Sequence, residues 1–260
     1  MYPILLSIGF IKIYSYGMFL AIAFIIGLNY LRKKALVEGI NSHQMMDLGL
    51  YILISAIIGS RALYIMCNYQ YYLKNPLEII LLTKGGLIFY GGLILALLVG
   101  IVFIKKKGLP LWKIMDLVAS SLVLGQSIGR IGCFLSGCCY GKPTQMLLGI
   151  KFSTYSVAYC HFGDNSLHPT QIYDSIASLL IFIILNWKLK YRSFAGEVLV
   201  WYLVLYPVAR FVIELFRGDN PAFIFSLTMS QIISILLLLL SIFLWLKLRK
   251  NPLKTSSKGN

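Results

Sequence analysis

The sequence predicts an all-α polytopic membrane protein, with about seven transmembrane helices and a small head between spans four and five. Three observations carry that reading. The chain is 58% hydrophobic and only 13% charged, with a mean hydropathy of +0.79, a balance foreign to soluble globular domains. Apolar runs near the length a helix needs to cross about 30 Å of hydrocarbon recur along it. Its basic residues also fall in alternate connections between those runs.

Taken in order, the first run covers 13–30 and follows Met1-Tyr2-Pro3, which lacks the basic opening of a cleaved signal peptide. Runs at 46–66 and 86–104 follow. The fourth, 113–128, is short for a full crossing and reads as tilted or re-entrant. A glycine-punctuated loop from Gly129 to Gly141 then opens the head, about 129–170, which carries several aromatic residues. Long ordered loops of this kind are often functional. The last three spans cover 171–188, 196–215 and 229–247. Residues 1–250 thus form one membrane domain without a separate soluble module, and the polar stretch 251–260 reads as a disordered cytoplasmic tail.

A net charge of +15 would suit a nucleic-acid partner, but its placement excludes that class. Arg32, Lys33 and Lys34 follow span one. Lys105, Lys106, Lys107 and Lys113 lie between spans three and four, and Lys188, Lys190 and Arg192 between spans five and six. Lys247, Arg249, Lys250, Lys254 and Lys258 follow span seven. The positive-inside rule makes all these connections cytoplasmic, with the N-terminus outside. The basic residues then set topology and touch anionic lipid.

The opposite, outer level gathers nearly every unusual polar residue. Arg61 lies late in span two, Tyr90-Gly91-Gly92 opens span three, and Arg130 ends span four. His168 to Asp174 opens span five. Tyr206, Arg210, Glu214 and Arg217 close span six at a spacing that keeps them on one helical stripe. Charge in hydrocarbon needs a partner, and the planar fork of arginine matches phosphate oxygens. Arg130 and Arg210 are therefore candidates to hold an anionic lipid head group, with Glu214 orienting Arg210. The glycines Gly129, Gly132 and Gly141 permit close backbone approach. Each residue also has a plainer reading. Arg210 and Glu214 could be a structural ion pair, His168-Pro169 a simple helix entry, and Tyr16 and Tyr90 ordinary interfacial aromatics.

Of five cysteines, Cys133, Cys138, Cys139 and Cys160 fall between spans four and five, while Cys67 stands apart. A disulfide is chemically open to them in an oxidising compartment. A zinc site with His161 is the weaker alternative, because the ligand spacing is irregular.

Together these ordered motifs resemble the bacterial prolipoprotein diacylglyceryl transferases over most of the chain. The family's Gly-Arg-x-Gly-x-Phe signature resembles Gly129 to Gly141, and its Tyr-Gly pair resembles Tyr16-Gly17. Its span-two arginine resembles Arg61, and its His-Pro-x-Gln-x-Tyr segment resembles His168 to Tyr173. The Arg-x-x-x-Glu-x-x-Arg segment matches Arg210, Glu214 and Arg217. Two departures stand out. The family usually places His before the two glycines where this chain has Tyr90. It usually has Asn and Glu where this chain has Cys133 and Cys138.

The resemblance implies an enzyme of the bacterial inner membrane. It would transfer a diacylglyceryl group from phosphatidylglycerol to the lipobox cysteine thiol in preprolipoprotein signal peptides. A thioether forms, and glycerol phosphate leaves. Arg130 and Arg210 would hold and stabilise that phosphate. Tyr16, Arg61, Tyr206 and Arg217 would seat the head group beside Gly91, Gly92, Gly129, Gly132 and Gly141. His168 or Tyr90 would assist proton removal, His168 being favoured because its ordinary pKa lies near neutrality. Neither a metal nor a diffusible cofactor is required. The competing classes are a non-catalytic or altered-substrate lipid-binding relative, a small-anion transporter and a retinal-type photosensor. The last lacks a lysine inside span seven, and a transporter would be expected to show an internal repeat.

Overall fold

The computed structural model describes residues 3–8, 11–79, 85–223 and 226–250. The tail expected at 251–260 lies outside them. A short antiparallel hairpin, β1 (Ile4–Ile8) and β2 (Ile11–Tyr14), opens the chain. Nine helices follow among the described residues: α1 (Ser15–Val37), α2 (Ser42–Cys67), α3 (Tyr69–Lys74), α4 (Phe89–Lys106), α5 (Leu111–Ser136), α6 (Val157–Phe162), α7 (Thr170–Lys190), α8 (Glu197–Glu214) and α9 (Met229–Leu248). Six of them, α1, α2, α4, α5, α7 and α9, are long and apolar enough to cross a membrane. The run expected at 196–215 becomes α8, whose 18 residues carry Glu197, Arg210 and Glu214.

Local chemistry sets the ends of these helices. Asn41 caps α2 by accepting from the His43 amide at 2.9 Å, as short polar side chains do at helix starts. Thr228 and Gln231 form a reciprocal capping box at the head of α9. The Ser15 amide and hydroxyl both donate to the Pro3 carbonyl, at 3.0 and 3.1 Å, which ties the start of α1 to the hairpin.

Burial runs opposite to a water-soluble protein. Ser55, Ser60, Ser120, Ser127, Ser178, Ser234 and Ser241 are buried, whereas Ile54, Ile58, Leu98, Leu180, Ile183, Leu239 and Phe243 face outward. Small residues let membrane helices approach closely, and large apolar ones belong against lipid. The protein is a multi-pass membrane protein.

The chain divides into two compact units, residues 1–31 with 115–260 and residues 32–114. In the second unit α2 packs on α4. The contact is close because Gly59 faces Gly91, and Gly92 faces Ala56. A Cβ on any of these three glycines would lie within 3.0 Å of the opposing backbone. Gly91 and Gly92, expected at a ligand, thus seat one helix against another.

In the first unit α8 packs against both α7 and α9. The sequence reading ends span four at 128 and treats Gly129 to Gly141 as a loop. The structure instead continues α5 to Ser136, so Gly129, Arg130, Gly132 and Cys133 are helical. A glycine inside a helix costs about 1 kcal/mol relative to alanine. Here Gly132 has a packing reason, since a Cβ there would press on Phe19 of α1. The excursion between α5 and α7 therefore begins at Gly137, not 129. It has a small core of its own, built from Tyr140, Phe152, Ala158 and Leu167 with Phe162 against it.

Gly91→Val should lower the melting temperature of the detergent-solubilised protein by several degrees or more, since overpacking costs about 1–3 kcal/mol. Gly17→Ala, where an added Cβ meets nothing within 4 Å, should leave it unchanged or slightly raised. Equal melting of Gly91→Val and the parent would refute the packing assignment.

Candidate active site

The polar centre of the first unit is assembled by three helices. α5 contributes Arg130, α7 contributes Asp174, and α8 contributes Arg210 and Glu214. The Asp174 Oδ2 forms ion pairs with both arginines, lying 3.2 Å from Arg130 Nε and accepting a hydrogen bond from Arg210 Nη1 at 3.1 Å. Arg210 Nη2 forms an ion pair with Glu214 Oε2 at 2.8 Å, one turn along α8, and reaches the Ser230 hydroxyl at 3.3 Å. The Glu214 side chain is fully buried. Its other oxygen accepts from Asn220 at 2.5 Å and from the Thr228 hydroxyl at 2.9 Å. The carboxylate therefore holds its position whether or not Arg210 moves.

Arg217 lies just past the end of α8. Its guanidinium donates twice to Asp219, at 2.8 and 2.6 Å, and lies 3.8 Å from Glu214. The excursion after α5 is stitched to this segment. The Lys142 amide donates to the Phe216 carbonyl at 2.8 Å, and the Gly218 amide donates to Tyr140 at 3.1 Å. Gly141 donates to the His168 carbonyl at 3.0 Å, and a Cβ there would collide with His168 and Phe216. Gly141 is thus required for the stitch itself.

The His168 ring packs edge-on to Phe216 and to Tyr173, with its Nδ1 3.4 Å from the Tyr173 hydroxyl. Tyr206 stacks on Tyr202 at 5.5 Å. Tyr16 is half exposed at the start of α1, where its backbone lies beside Gly132. Gly129 has open space beside it. In the excursion, burial raises the Tyr140 phenol above its ordinary pKa, with the Asp219 carboxylate adding to the effect. An apolar groove of about 400 Å³ runs between α7 and α8, lined by Tyr173, Ile176, Leu180, Ala209 and Val212 among others.

Asp174 is absent from the residues expected at the site, although it is the carboxylate that joins the two arginines. The available signal was an acid on an otherwise apolar helix, and such groups are seldom idle in a membrane.

Arg61, Tyr90, Gly91 and Gly92 belong to the second unit. Arg61 is buried, and its guanidinium donates to the carbonyls of Glu78 at 2.6 Å, Ile79 at 3.1 Å and Gly85 at 2.6 Å. The rings of Tyr64 and Tyr72 lie alongside it. Through these bonds Arg61, expected against a lipid head group, fastens the chain between α3 and α4. Tyr90 is 42% exposed in the first turn of α4, edge-on to Phe89.

A family model described as prolipoprotein diacylglyceryl transferase matches residues 3–247. The chain belongs to that family. It is 34% identical over 245 residues to the phosphatidylglycerol–prolipoprotein diacylglyceryl transferase of Clostridium tetani, covering 94% of this chain and 97% of that protein. The protein of the same name from Finegoldia magna is 35% identical over 253 residues, with 97% and 98% covered. That of Geobacillus kaustophilus is 35% identical over 245 residues, with 94% and 91% covered. The family resemblance read from the motifs is thus established over almost the whole chain.

Removing one partner of a buried charge pair typically costs about 3–5 kcal/mol, because the charge left behind has no partner. Asp174→Ala should therefore destabilise the solubilised protein strongly, and Asp174→Ala combined with Arg130→Ala should be less than additive. Strict additivity in the melting temperatures would show that the pair is not coupled.

Proposed function

We propose that the chain transfers the diacylglyceryl group of phosphatidylglycerol to a prolipoprotein cysteine, with Arg130 and Arg210 as the phosphate-binding pair. The observation that carries the assignment is the Asp174 carboxylate shared between the two guanidiniums. It aims two fixed positive charges at one place inside a largely apolar helix group. Among the described residues Asp174 is the one ion-pair partner of Arg130, so its Nη donors can serve a ligand.

The reaction places specific demands on that site. The attacking sulfur forms a carbon–sulfur bond as the carbon–oxygen bond to phosphate breaks. The leaving glycerol phosphate thereby gains negative charge. Preformed donors that strengthen as the charge grows lower the barrier. Glu214, fixed by Asn220 and Thr228, acts through Arg210 as a positioning residue. Tyr206, Tyr16 and Arg217 would border the head group, and Gly129 leaves room beside Arg130. The groove between α7 and α8 has the apolar lining an acyl chain needs, and it lies beside Ala209 and Tyr173, the sequence neighbours of Arg210 and Asp174.

The substrate-binding roles read from the sequence for Arg61, Gly91 and Gly92 become scaffold roles in this proposal. His168 remains the favoured proton acceptor and Tyr90 the alternative. The acceptor thiol would be that of a lipobox cysteine at the end of a signal peptide. The protein would lie in the bacterial inner membrane as one domain, with α8 also crossing, the N-terminus outside and the C-terminus in the cytoplasm. The excursion between α5 and α7 would then be periplasmic.

The test is thioether transfer by the purified protein from phosphatidylglycerol to a lipobox peptide, read as a diacylglyceryl mass gain on the peptide. Arg130→Ala and Arg210→Ala should each reduce the rate by about 100- to 1000-fold, the usual loss when one transition-state donor is removed. A full rate in either variant would refute the phosphate assignment. Tyr90→Phe should retain the full rate while His168→Ala lowers it by up to about 30-fold, and the reverse pattern would reassign the proton acceptor.

A further inference from the structure

Cys133, Cys138 and Cys139 are used by nothing described so far. Far apart in helical register, they meet because α5 ends at Ser136 and the chain turns back on itself. Their sulfur atoms all lie within 4.8 Å of one another, with Cys133 buried and the other two partly so. Zinc–thiolate bonds of about 2.3 Å on a tetrahedron place the sulfurs about 3.8 Å apart, so this trio needs little movement to meet that geometry.

The turn is held rigidly and at a cost. The Gln171 amide group donates to the Cys138 carbonyl at 2.6 Å, and the Thr170 hydroxyl donates to the Cys139 carbonyl at 2.7 Å. Cys139 itself has φ +59°, the left-handed region where a non-glycine residue is strained. Such strain at a chemically competent side chain points toward function. Charge agrees, because Arg217 and Arg130 both act electrostatically on Cys139. Three thiolates with one divalent cation carry a net charge of −1, which these arginines accommodate.

We propose that Cys133, Cys138 and Cys139 form a three-thiolate site for a thiophilic divalent cation, zinc being the type, with a fourth position open to an external thiol. The three-sulfur site stands by itself, whereas the use of the open position rests on the transferase reading above. Three protein ligands and one exchangeable position is the pattern of catalytic rather than structural zinc. A thiol entering that position releases its proton to water and stays bound as thiolate. Its electron pair then forms the carbon–sulfur bond, while the pair of the breaking carbon–oxygen bond leaves with glycerol phosphate. This supplies thiol activation by the metal in addition to that of a general base.

The decisive measurement is metal content of the full chain, purified in detergent with reductant after growth in zinc. About one zinc per chain is expected, falling about tenfold or more in Cys138→Ser/Cys139→Ser, since zinc affinity requires all the ligands. Cys67→Ser/Cys160→Ser, which alters the two exposed cysteines, should keep it. If the first variant does not fold, cadmium titration of the unaltered protein decides, through a sulfur-to-cadmium charge-transfer band that saturates at one equivalent. No bound metal and no such band, or a disulfide within the trio, overturns the site. Equal transfer rates for zinc-loaded and chelator-stripped protein overturn the role of the open position. Absence of transfer in both states counts against the transferase reading instead, and leaves the stoichiometry to be judged separately.

Discussion

One carboxylate organises the first unit. Asp174 pairs with Arg130 and with Arg210, and so draws α5, α7 and α8 onto a common point. In water such a contact would contribute little. Among helices surrounded by hydrocarbon the alternative is an uncompensated charge, which makes the arrangement much more costly to break than to keep. The second carboxylate extends the same logic. Glu214 pairs with Arg210, while Asn220 and Thr228 hold its other oxygen. The segment after α8 and the cap of α9 are thereby tied to the same point. The positions of the helices and the geometry of the charges are one problem with one solution.

The second unit is built by a different force. Along the apolar length of α2 and α4, Gly59, Gly91 and Gly92 bring the backbones together. Lipid tails are as apolar as leucine, so burial of leucine cannot drive this contact, whereas close packing of small residues can. Arg61 then fastens the connecting chain by donating to its carbonyls. Glycine and arginine therefore perform framework tasks in this unit, though both residue types read as ligand-binding ones from the sequence.

This explains what the sequence could and could not disclose. Apolar runs and charge alternation depend on composition over some 20 residues, and they locate most helix ends to within a few positions, but stop short of the ends of α1 and α5, which run on to Val37 and Ser136. The Arg210–Glu214 pair was legible because helical periodicity alone places residues four apart on one face. Asp174 was not, because its partners come from helices distant in sequence. The end of α5 was misread since glycine lowers helix propensity locally, while the packing of Gly132 against α1, which outweighs that, is a tertiary fact. The backbone acceptors of Arg61 are likewise a tertiary fact. A buried arginine signals only that it needs acceptors, and backbone carbonyls serve as well as phosphate oxygens.

The tyrosine at position 90 raises the question of how much a general base matters to this reaction. A thiol with the usual pKa of about 8.5 is already about 3% thiolate at pH 7. Complete deprotonation therefore gains at most about 30-fold, or about 2 kcal/mol, over leaving the thiol to its own equilibrium. Stabilising the departing phosphate is worth about 100- to 1000-fold for each well-placed donor, and the first unit supplies two guanidiniums joined by Asp174. On these magnitudes losing the base would cost the proposed reaction at most about 30-fold, against about 100- to 1000-fold for losing either arginine. The base is the more replaceable part of the proposed mechanism, and a metal held by the three convergent cysteines would be one means of replacing it.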